Sequence, residues 1–457
     1  MLRWPPAVAT VAVFVAGSGT ASAQIASSLN RTGSGARAAG MANAFVAVSD
    51  DGTAASWNPA GLSQLRKPEF SLVYTVGYRG LGLDGMRSPD GRVAYSNRQF
   101  GYVNSSPDFA SAALPFTVAR KPVTVQLGWQ RIYHLGGSAS GEVTRTLLED
   151  PSTMTRLFVG NESGGNVDRG SLSAAVKPTG RMALGGSLNV FRGAWNDRLT
   201  YVEPSATASD FAEIRSDNRI RGTNLTVGLL FTYPHVNVGL VHNSAFWSSF
   251  GYHHEQDSNL QPPRSFDGGP QARFRLPRSI AAGVAWRPGP QWTVAADLTH
   301  DQWTDSLVKG FPGQTAQVNF FDGLPPEFST TRDTTSLNVG GERLFLREGS
   351  VLPLRVGFAW EPQGAMDAVT RDRADYFMAA VGGGYNTNSL KFDAALQYRW
   401  GTIRASDIVR VETALVGGLV RDAFGQARSS EWRLKLSAIY RIPDTEKLRG
   451  LVRKIFG

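Results

Sequence analysis

The side chains that could carry chemistry are few, and they form no catalytic set. The chain has no cysteine, which removes disulfides, thiolate catalysis and cysteine metal sites from consideration. Of its six histidines, His253 and His254 are adjacent, and Glu255 and Asp257 follow them in a stretch predicted to be a long loop. This group could bind a metal ion weakly, or it could be a solvated polar loop.

A pair of neighbouring carboxylates, Asp50 and Asp51, could act as an acid–base pair, but turn chemistry explains them as well. They are flanked by Ser49 and Gly52, and these four residue types favour turns and helix caps. The sequence contains no serine nucleophile elbow, phosphate-binding loop or zinc-protease helix. We therefore predict a protein that is not an enzyme and that needs no metal or cofactor.

Composition and charge restrict the class of protein further. The 457 residues carry a net charge of +9, but no run of five or more lysines and arginines occurs, which argues against a nucleic-acid partner. Hydrophobic residues make up 42% of the chain, yet mean hydropathy is −0.20 and no apolar stretch approaches the ~20 residues of a membrane helix. In a β-barrel, apolar and polar residues alternate along each strand, so mean hydropathy is low although one face of every strand is apolar.

The first residues have the features of an export signal. Arg3 provides the positive charge, residues 7–16 are apolar, and Ala21, Ser22 and Ala23 form a small-residue cleavage site. A membrane anchor is the alternative, but the apolar stretch is too short to span a bilayer. The sequence predicts a cleaved signal peptide at residues 1–23 and export through the Sec pathway.

Alternating apolar and polar residues recur along nearly the whole chain. Between Leu390 and Trp400, every second residue is apolar, and the residues between include Lys391, Asp393 and Arg399. Successive side chains of a strand point to opposite faces, so such a strand has one apolar and one charged face. We predict about fourteen such strands, at residues 68–80, 108–119, 122–134, 168–177, 180–195, 219–233, 235–248, 277–288, 291–304, 334–346, 351–361, 374–386, 388–402 and 429–442.

The connections between these strands alternate in length. Each even-numbered strand is joined to the next by a short link of turn formers, such as residues 178–180 and 288–290. The other links are longer and mostly polar. Outer-membrane barrels have short periplasmic turns and long external loops. The sequence therefore predicts an all-β fold, an antiparallel transmembrane β-barrel at residues 67–442 in a Gram-negative type of outer membrane.

The segment before the first strand does not alternate. Residues 37–48 are small and apolar, as in a short buried helix, and Asn58 before Pro59 suits a helix N-cap followed by proline. Residues 24–66 are surplus to a barrel wall, so we expect them to form a helical hatch inside the lumen; a periplasmic subdomain is the alternative. Residues 443–457 form a basic tail, which could be a surface helix, a frayed end or a contact to lipid headgroups or a partner.

Residues 35–47 (GARAAGMANAFVA), residues 50–54 and residues 57–62 (WNPAGL) resemble the amino-terminal hatch of FadL/TodX-type outer-membrane transporters. The resemblance continues through the barrel, at residues 276–288, 292–304, 354–358 and 382–385. It implies a fourteen-stranded barrel that takes up hydrophobic molecules such as long-chain fatty acids or aromatic hydrocarbons. It also implies a gate at Asn58, Pro59, Ala60 and Gly61.

Residues 37–47 also resemble PorV-type relatives, which would make the chain an outer-membrane docking protein for secreted surface proteins. This alternative stays open at the level of sequence.

A carrier of amphiphiles needs an apolar pocket and few polar anchors. Inward-facing cations that could meet a carboxylate are Arg355, Lys391, Arg399, Arg433 and Lys435, unless they only pair with lumen acids such as Asp393. Residues 251–275, with Phe266 and Phe274, are predicted to form an outer capture site. The expected partners are hydrophobic small molecules and outer-membrane lipid.

Overall fold

The computed structural model describes residues 32–82, 87, 91–97, 100–204, 209–259, 262–312, 314–321, 323–366, 373–404 and 426–443. The predicted signal peptide, the start of the predicted hatch, and the basic tail after residue 443 lie outside these residues. In the described part of the chain, no helix is long and apolar enough to cross a membrane.

Strands dominate the described residues. The strands are β1 (Glu69–Gly82), β2 (Val93–Asn97), β3 (Phe100–Val118), β4 (Lys121–His134), β5 (Gly137–Leu147), β6 (Met154–Val176), β7 (Met182–Glu203), β8 (Asp210–Thr232), β9 (Val236–Asn243), β10 (Phe246–Ser258), β11 (Arg264–Asp267), β12 (Arg273–Leu276), β13 (Ser279–Trp286), β14 (Trp292–Asp301), β15 (Leu307–Lys309), β16 (Val318–Asn319), β17 (Thr334–Arg347), β18 (Ser350–Met366), β19 (Arg373–Asn386), β20 (Leu390–Arg404) and β21 (Gln426–Arg441). The helical elements are α1 (Ala36–Gly40) and three 3₁₀ turns, Ala54–Ser56, Pro59–Gln64 and Trp303–Asp305.

Fourteen of the strands form a closed antiparallel barrel. The order around the wall is β1, β3, β4, β6, β7, β8, β9, β13, β14, β17, β18, β19, β20 and β21. The ring closes where β1 pairs with β21, from Glu69 opposite Arg441 to Gly82 opposite Arg428. The prediction of an antiparallel barrel of about fourteen strands is confirmed.

The two faces of the wall have the predicted polarity. On β20, Phe392 and Leu396 are 49% and 40% exposed, whereas Asp393 and Gln397 are 5% and 1% exposed. The apolar side chains therefore point outward, where a membrane barrel meets lipid, and the polar side chains point into the lumen. Burial alternates in the same way on β13 and β14.

Three wall strands are longer than predicted. β6, β7 and β8 contain 23, 22 and 23 residues, about 70 Å of extended chain, and extend well beyond the apolar band. The expected strands 168–177, 180–195 and 219–233 cover only their lower parts. Beyond the bilayer, neither face needs to be apolar, so the alternation that predicts a strand disappears although the hydrogen-bonded pairing continues.

The connection predicted as a loop at residues 251–275 is also mostly strand. It contains most of β10, then β11 and the start of β12, and β10 pairs with the outer half of β8. His253 and His254 lie on β10, so their expected position in a loop was wrong.

Residues 32–66, called here the hatch segment, occupy the lumen at the end that carries the short turns. The predicted helix over residues 37–48 was too long. α1 ends at Gly40, and Ala42 and Asn43 adopt positive φ values of 49° and 69°, so the backbone leaves the helix there. The rest of the hatch segment is turns and the two 3₁₀ turns at Ala54–Ser56 and Pro59–Gln64.

Candidate functional site

Amide side chains of the wall hold the hatch segment by its backbone. Gln126 on β4, Asn237 on β9, Asn338 on β17 and Gln397 on β20 donate to the carbonyls of Gly52, Ala47, Ala42 and Ala39, at 2.6, 3.2, 2.8 and 3.0 Å. On β14, a carboxylate oxygen of Asp297 accepts from the backbone N–H groups of Phe45 and Val46 at 2.6 and 2.8 Å. The turns of the hatch segment form backbone hydrogen bonds of their own, and the wall satisfies further carbonyl and N–H groups of its backbone.

Asn58 lies at the centre of these contacts and is fully buried. Its Oδ1 accepts from the backbone N–H of Ala60 at 3.1 Å, so it is the N-cap predicted from the Asn-Pro pair. Its Nδ2 donates to the carbonyl of Val46 within the hatch segment, at 3.1 Å, and to the carbonyl of Leu229 on β8, at 3.0 Å. One side chain therefore joins two parts of the hatch segment to the wall.

Inward-facing glycines let the hatch backbone approach the wall. A Cβ on Gly340 would lie 2.4 Å from the carbonyl oxygen of Met41, and one on Gly357 would lie 2.4 Å from the carbonyl carbon of Met41. Both distances are shorter than real Cβ contacts. The hatch segment and the wall are thus fitted to each other at the level of single methyl groups.

A chain of ion pairs links the hatch segment to three strands. Arg37 pairs with Asp50 and donates to Glu342 on β17 at 2.8 and 3.0 Å. Glu342 also accepts from Arg355 on β18 at 2.6 Å, and Arg355 donates to Asp393 on β20 at 2.7 Å. Arg355 therefore pairs with Asp393, which is one of the two alternatives that the sequence left open. Its role toward a ligand stays a prediction.

Charged groups of the hatch segment are strongly perturbed by this network. Burial alone would lower the pKa of Arg37, but the carboxylates of Asp50 and Glu342 outweigh burial and raise that pKa well above its usual value. Burial would raise the pKa of Asp51, but Lys391, Arg37 and hydrogen bonds from Thr53 lower it. Asp51 accepts from the backbone N–H and hydroxyl of Thr53 at 2.9 and 2.6 Å, which is the turn chemistry predicted for it.

A cavity of about 110 Å³, called here the charged cavity, lies beside the hatch segment, and eight of its eighteen lining residues are charged. Arg399 is buried at its edge, with Nε 2.7 Å from Glu361 and the guanidinium over the ring of Tyr376 at 3.7 Å. Lys435 contacts Asp108 at 2.9 Å. The charged residues lining the cavity are Arg79, Arg131, Arg399, Arg433 and Lys435 with Asp108, Glu361 and Glu431.

The apolar part of the lumen lies on the loop side of the hatch segment. Inward side chains of the four wall strands β4, β6, β7 and β8, and side chains of the two long connections before β13 and after β14, form an aromatic-rich cluster, called here the outer cluster. Its largest members include Tyr133, Phe191, Trp195, Phe246, Tyr252, Phe274, Trp303, Phe311 and Phe321. Phe274 is 6% exposed, and its ring is tilted against that of Phe320 with the ring centres 4.6 Å apart; Phe266 packs against the cluster. The two phenylalanines chosen from sequence thus share one site; their ligand role stays a prediction.

A second cavity, of about 70 Å³, joins the outer cluster to the hatch segment. Its lining includes Phe191 of the cluster and Trp57, Val46 and Asn43 of the hatch segment. It shares Thr32, Gly33 and Glu361 with the charged cavity. Most of the other residues that line it are polar, so a polar space lies between the outer cluster and the charged cavity.

The histidine group does not form a metal cage. His253 faces Asp267 at 2.8 Å and Glu255 at 3.2 Å, whereas the ring of His254 lies 3.2 Å from the hydroxyl of Ser216. Among the described residues, no three histidines and acids are close enough together to hold a metal ion.

Sequence reasoning missed the wall amides that hold the hatch segment. Gln126, Asn338 and Gln397 occupy inward positions of strands whose outward neighbours are apolar, which is the only signal they give. Their partners are backbone carbonyls with no sequence signature, so pairing could not be predicted.

No family model matches the chain, and no curated protein matches it. Solved structures do match. A Pseudomonas aeruginosa FadL homologue is 14% identical, with 90% of this chain and 98% of that chain covered and a TM-score of 0.62. The CymD monoaromatic hydrocarbon channel is 16% identical, with 90% and 98% covered and a TM-score of 0.54. The Ralstonia pickettii toluene transporter TbuX is 14% identical, with 91% and 100% covered and a TM-score of 0.54. With its closed fourteen-stranded wall and these structural neighbours, two of which are described as a channel and a transporter, the chain has the fold of the FadL-type barrels.

Proposed function

We propose that the protein is an outer-membrane transporter for the uptake of hydrophobic molecules such as long-chain fatty acids or aromatic hydrocarbons. The observation that carries this proposal is the outer cluster, an aromatic-rich apolar region enclosed by the barrel. Proteins with the same fold include a monoaromatic hydrocarbon channel and a toluene transporter. We place the chain in a Gram-negative type of outer membrane, after export and removal of residues 1–23.

In this proposal, the ligand first enters the outer cluster beside Phe266 and Phe274. Each methylene that leaves water there contributes on the order of 0.8 kcal/mol, so a long acyl chain would bind by burial alone. A carboxylate on the same molecule would be drawn to the charged cavity, whose lining has five cations and three acids. Arg399 borders that cavity, whereas Arg355 and Lys391 lie closer to the hatch segment.

Release requires the hatch segment to move, because it fills the lumen below the two cavities. We propose that the movement occurs around Asn58, Pro59, Ala60 and Gly61, where one buried side chain joins the segment to β8. The ion-paired side, from Arg37 to Asp393, would stay fixed, since breaking it leaves buried charges without partners.

The test is flux into liposomes that contain the purified protein. We expect a hydrophobic solute such as a radiolabelled fatty acid to enter, and sugars of similar mass to stay out. Replacing Phe311, which contacts Phe250 at 6.0 Å between ring centres, by Ala should lower the flux. Replacing Phe328, which is 68% exposed in the same connection, by Ala should leave it unchanged. Free passage of sugars with no lipid binding would refute the transporter.

The docking function remains the competing proposal. The long outer parts of β6, β7 and β8 would offer a surface to a secreted protein. Pull-down from outer membranes distinguishes the two: a stoichiometric protein partner without bound hydrophobe supports docking.

A further inference from the structure

A row of cations crosses the outer surface of the barrel on adjacent strands. Arg192 on β7 is directly opposite Arg221 on β8, and Arg221 is opposite Ser249 on β10. Ser249 is opposite Arg273 on β12, and Arg273 is opposite Lys309 on β15. Because neighbouring strands are ~4.8 Å apart, the row spans roughly 20 Å. We call these five residues the basic row.

The cations of the basic row have no acidic partners among the described residues. Arg192 and Arg221 are exposed, and no carboxylate of the described residues forms an ion pair with either. Asp168 is opposite Arg192 on β6, but its carboxylate is bound to Arg131 at 3.1 Å. Like charges directly opposite each other destabilise a sheet, so an anion from outside the chain would stabilise the Arg192 and Arg221 pair.

The basic row borders the apolar band of the wall. Two residues below Arg192 is Val190, which is 51% exposed, and four residues below Arg221 is Leu225, which is 55% exposed. Trp247 lies two residues before Ser249, and the ammonium of Lys309 lies over its ring, 4.2 Å from the ring centre. Tryptophan and basic side chains at the edge of an apolar band mark the level of lipid headgroups.

A second arginine pair on the same two strands provides an internal comparison. Arg198 and Arg215 are also directly opposite each other, six residues farther out. There Glu213 binds both, at 2.7 and 2.5 Å. The chain thus neutralises the arginine pair that is remote from the bilayer and leaves the pair at the bilayer edge without an acid.

From this arrangement we infer that the basic row binds the phosphate groups of an anionic lipid in the outer leaflet. The acyl chains of that lipid would lie on the apolar band below, and the arginines would hold phosphate by paired N–H donors. The inference rests on the proposed placement in an outer membrane, but not on transport. A free anion would gain nothing from the apolar residues beneath the row.

The experiment compares two double variants with the same loss of charge. Wild-type protein, Arg192→Gln/Arg221→Gln and Arg198→Gln/Arg215→Gln are purified in a neutral detergent and titrated with lipid A, which carries two phosphates, and with its dephosphorylated form. Native mass spectrometry counts the bound lipids. Each basic residue near an anionic lipid surface contributes ~1 kcal/mol, so loss of the first pair should weaken lipid A binding by roughly tenfold or more. The second double variant should bind as the wild type does.

Equal affinity for the two lipid forms, or an equal loss in both double variants, would overturn the inference. Inorganic phosphate that binds to the same arginines and is not displaced by lipid A would also overturn it. Correct folding of each variant is checked by heat-modifiable migration on gels. Hydrophobe flux through the same preparations separates this inference from the proposed function, since flux without lipid binding refutes only the former and lipid binding without flux refutes only the latter.

Discussion

Replacing Asn58 by Ala should loosen the hatch segment without unfolding the barrel. The substitution removes three hydrogen bonds, to the N–H of Ala60 and to the carbonyls of Val46 and Leu229. A buried hydrogen bond contributes about 1 kcal/mol net, so the loss is about 3 kcal/mol, or roughly a hundredfold in the equilibrium for local opening.

Hydrogen–deuterium exchange of the purified barrel measures this opening directly. We expect the amides of Phe45, Val46 and Ala60 to exchange on the order of a hundredfold faster, while amides of the β1–β21 seam keep their protection. The matched control is Asn338→Ala, which removes a single bond to the carbonyl of Ala42 and should accelerate exchange only about fivefold.

The reasoning would be refuted if both variants exchanged at the same rate, or if exchange in the seam accelerated as much as in the hatch segment. In the first case Asn58 would carry no more of the attachment than one wall amide. In the second, the hatch segment and the wall would open as one unit.

Three further outcomes follow from the contacts described above. Gly340→Ala should lower the thermal stability of the barrel, because the added Cβ would collide with the hatch backbone. Gly341→Ala is the control and should leave stability unchanged, because the nearest atom to its added Cβ would be 3.9 Å away. Thermal melting followed by circular dichroism checks both variants. Hydrogen bonds to two carboxylates raise the pKa of His253 above 6.5, so its stabilising contact between β10 and β11 is complete below that pH and lost as pH rises through the higher folded-state pKa. Exchange protection of β11 should fall over that range, and a His253→Gln variant should show no such change. Arg355→Gln should destabilise by about 3–5 kcal/mol, and adding Asp393→Asn should recover part of the loss, as measured by denaturant unfolding; no recovery would mean that the pair is not coupled.

The wall could be predicted from sequence because its physical cause is repeated in every strand. Phe392 and Leu396 face lipid while Asp393 and Gln397 face the lumen, so the polarity of the residues alternates with a period of two. The outer parts of β6–β8 could not be predicted, since water on both faces removes that period. The N-cap of Asn58 was predictable because a cap is a contact between near neighbours in sequence.

The site was predictable only in part, for a related reason. Phe266 and Phe274 could be chosen as apolar residues in a polar connection, and both lie at the outer cluster. The partners of Arg355 required knowledge of register, because Glu342 and Asp393 lie on two different strands. The hydrogen bonds from wall amides to hatch carbonyls depend on backbone positions, which cannot be predicted from residue types.

Those bonds have a consequence for how the chain assembles. The hatch segment precedes every wall strand in the chain, yet one donor to the carbonyl of Ala39 is Gln397, 358 residues later. Contacts this distant in sequence form late, so the hydrogen bonds from the wall to the hatch segment are complete only when nearly the last strand is in place. We therefore expect the segment to become fixed in position only as the barrel wall closes around it.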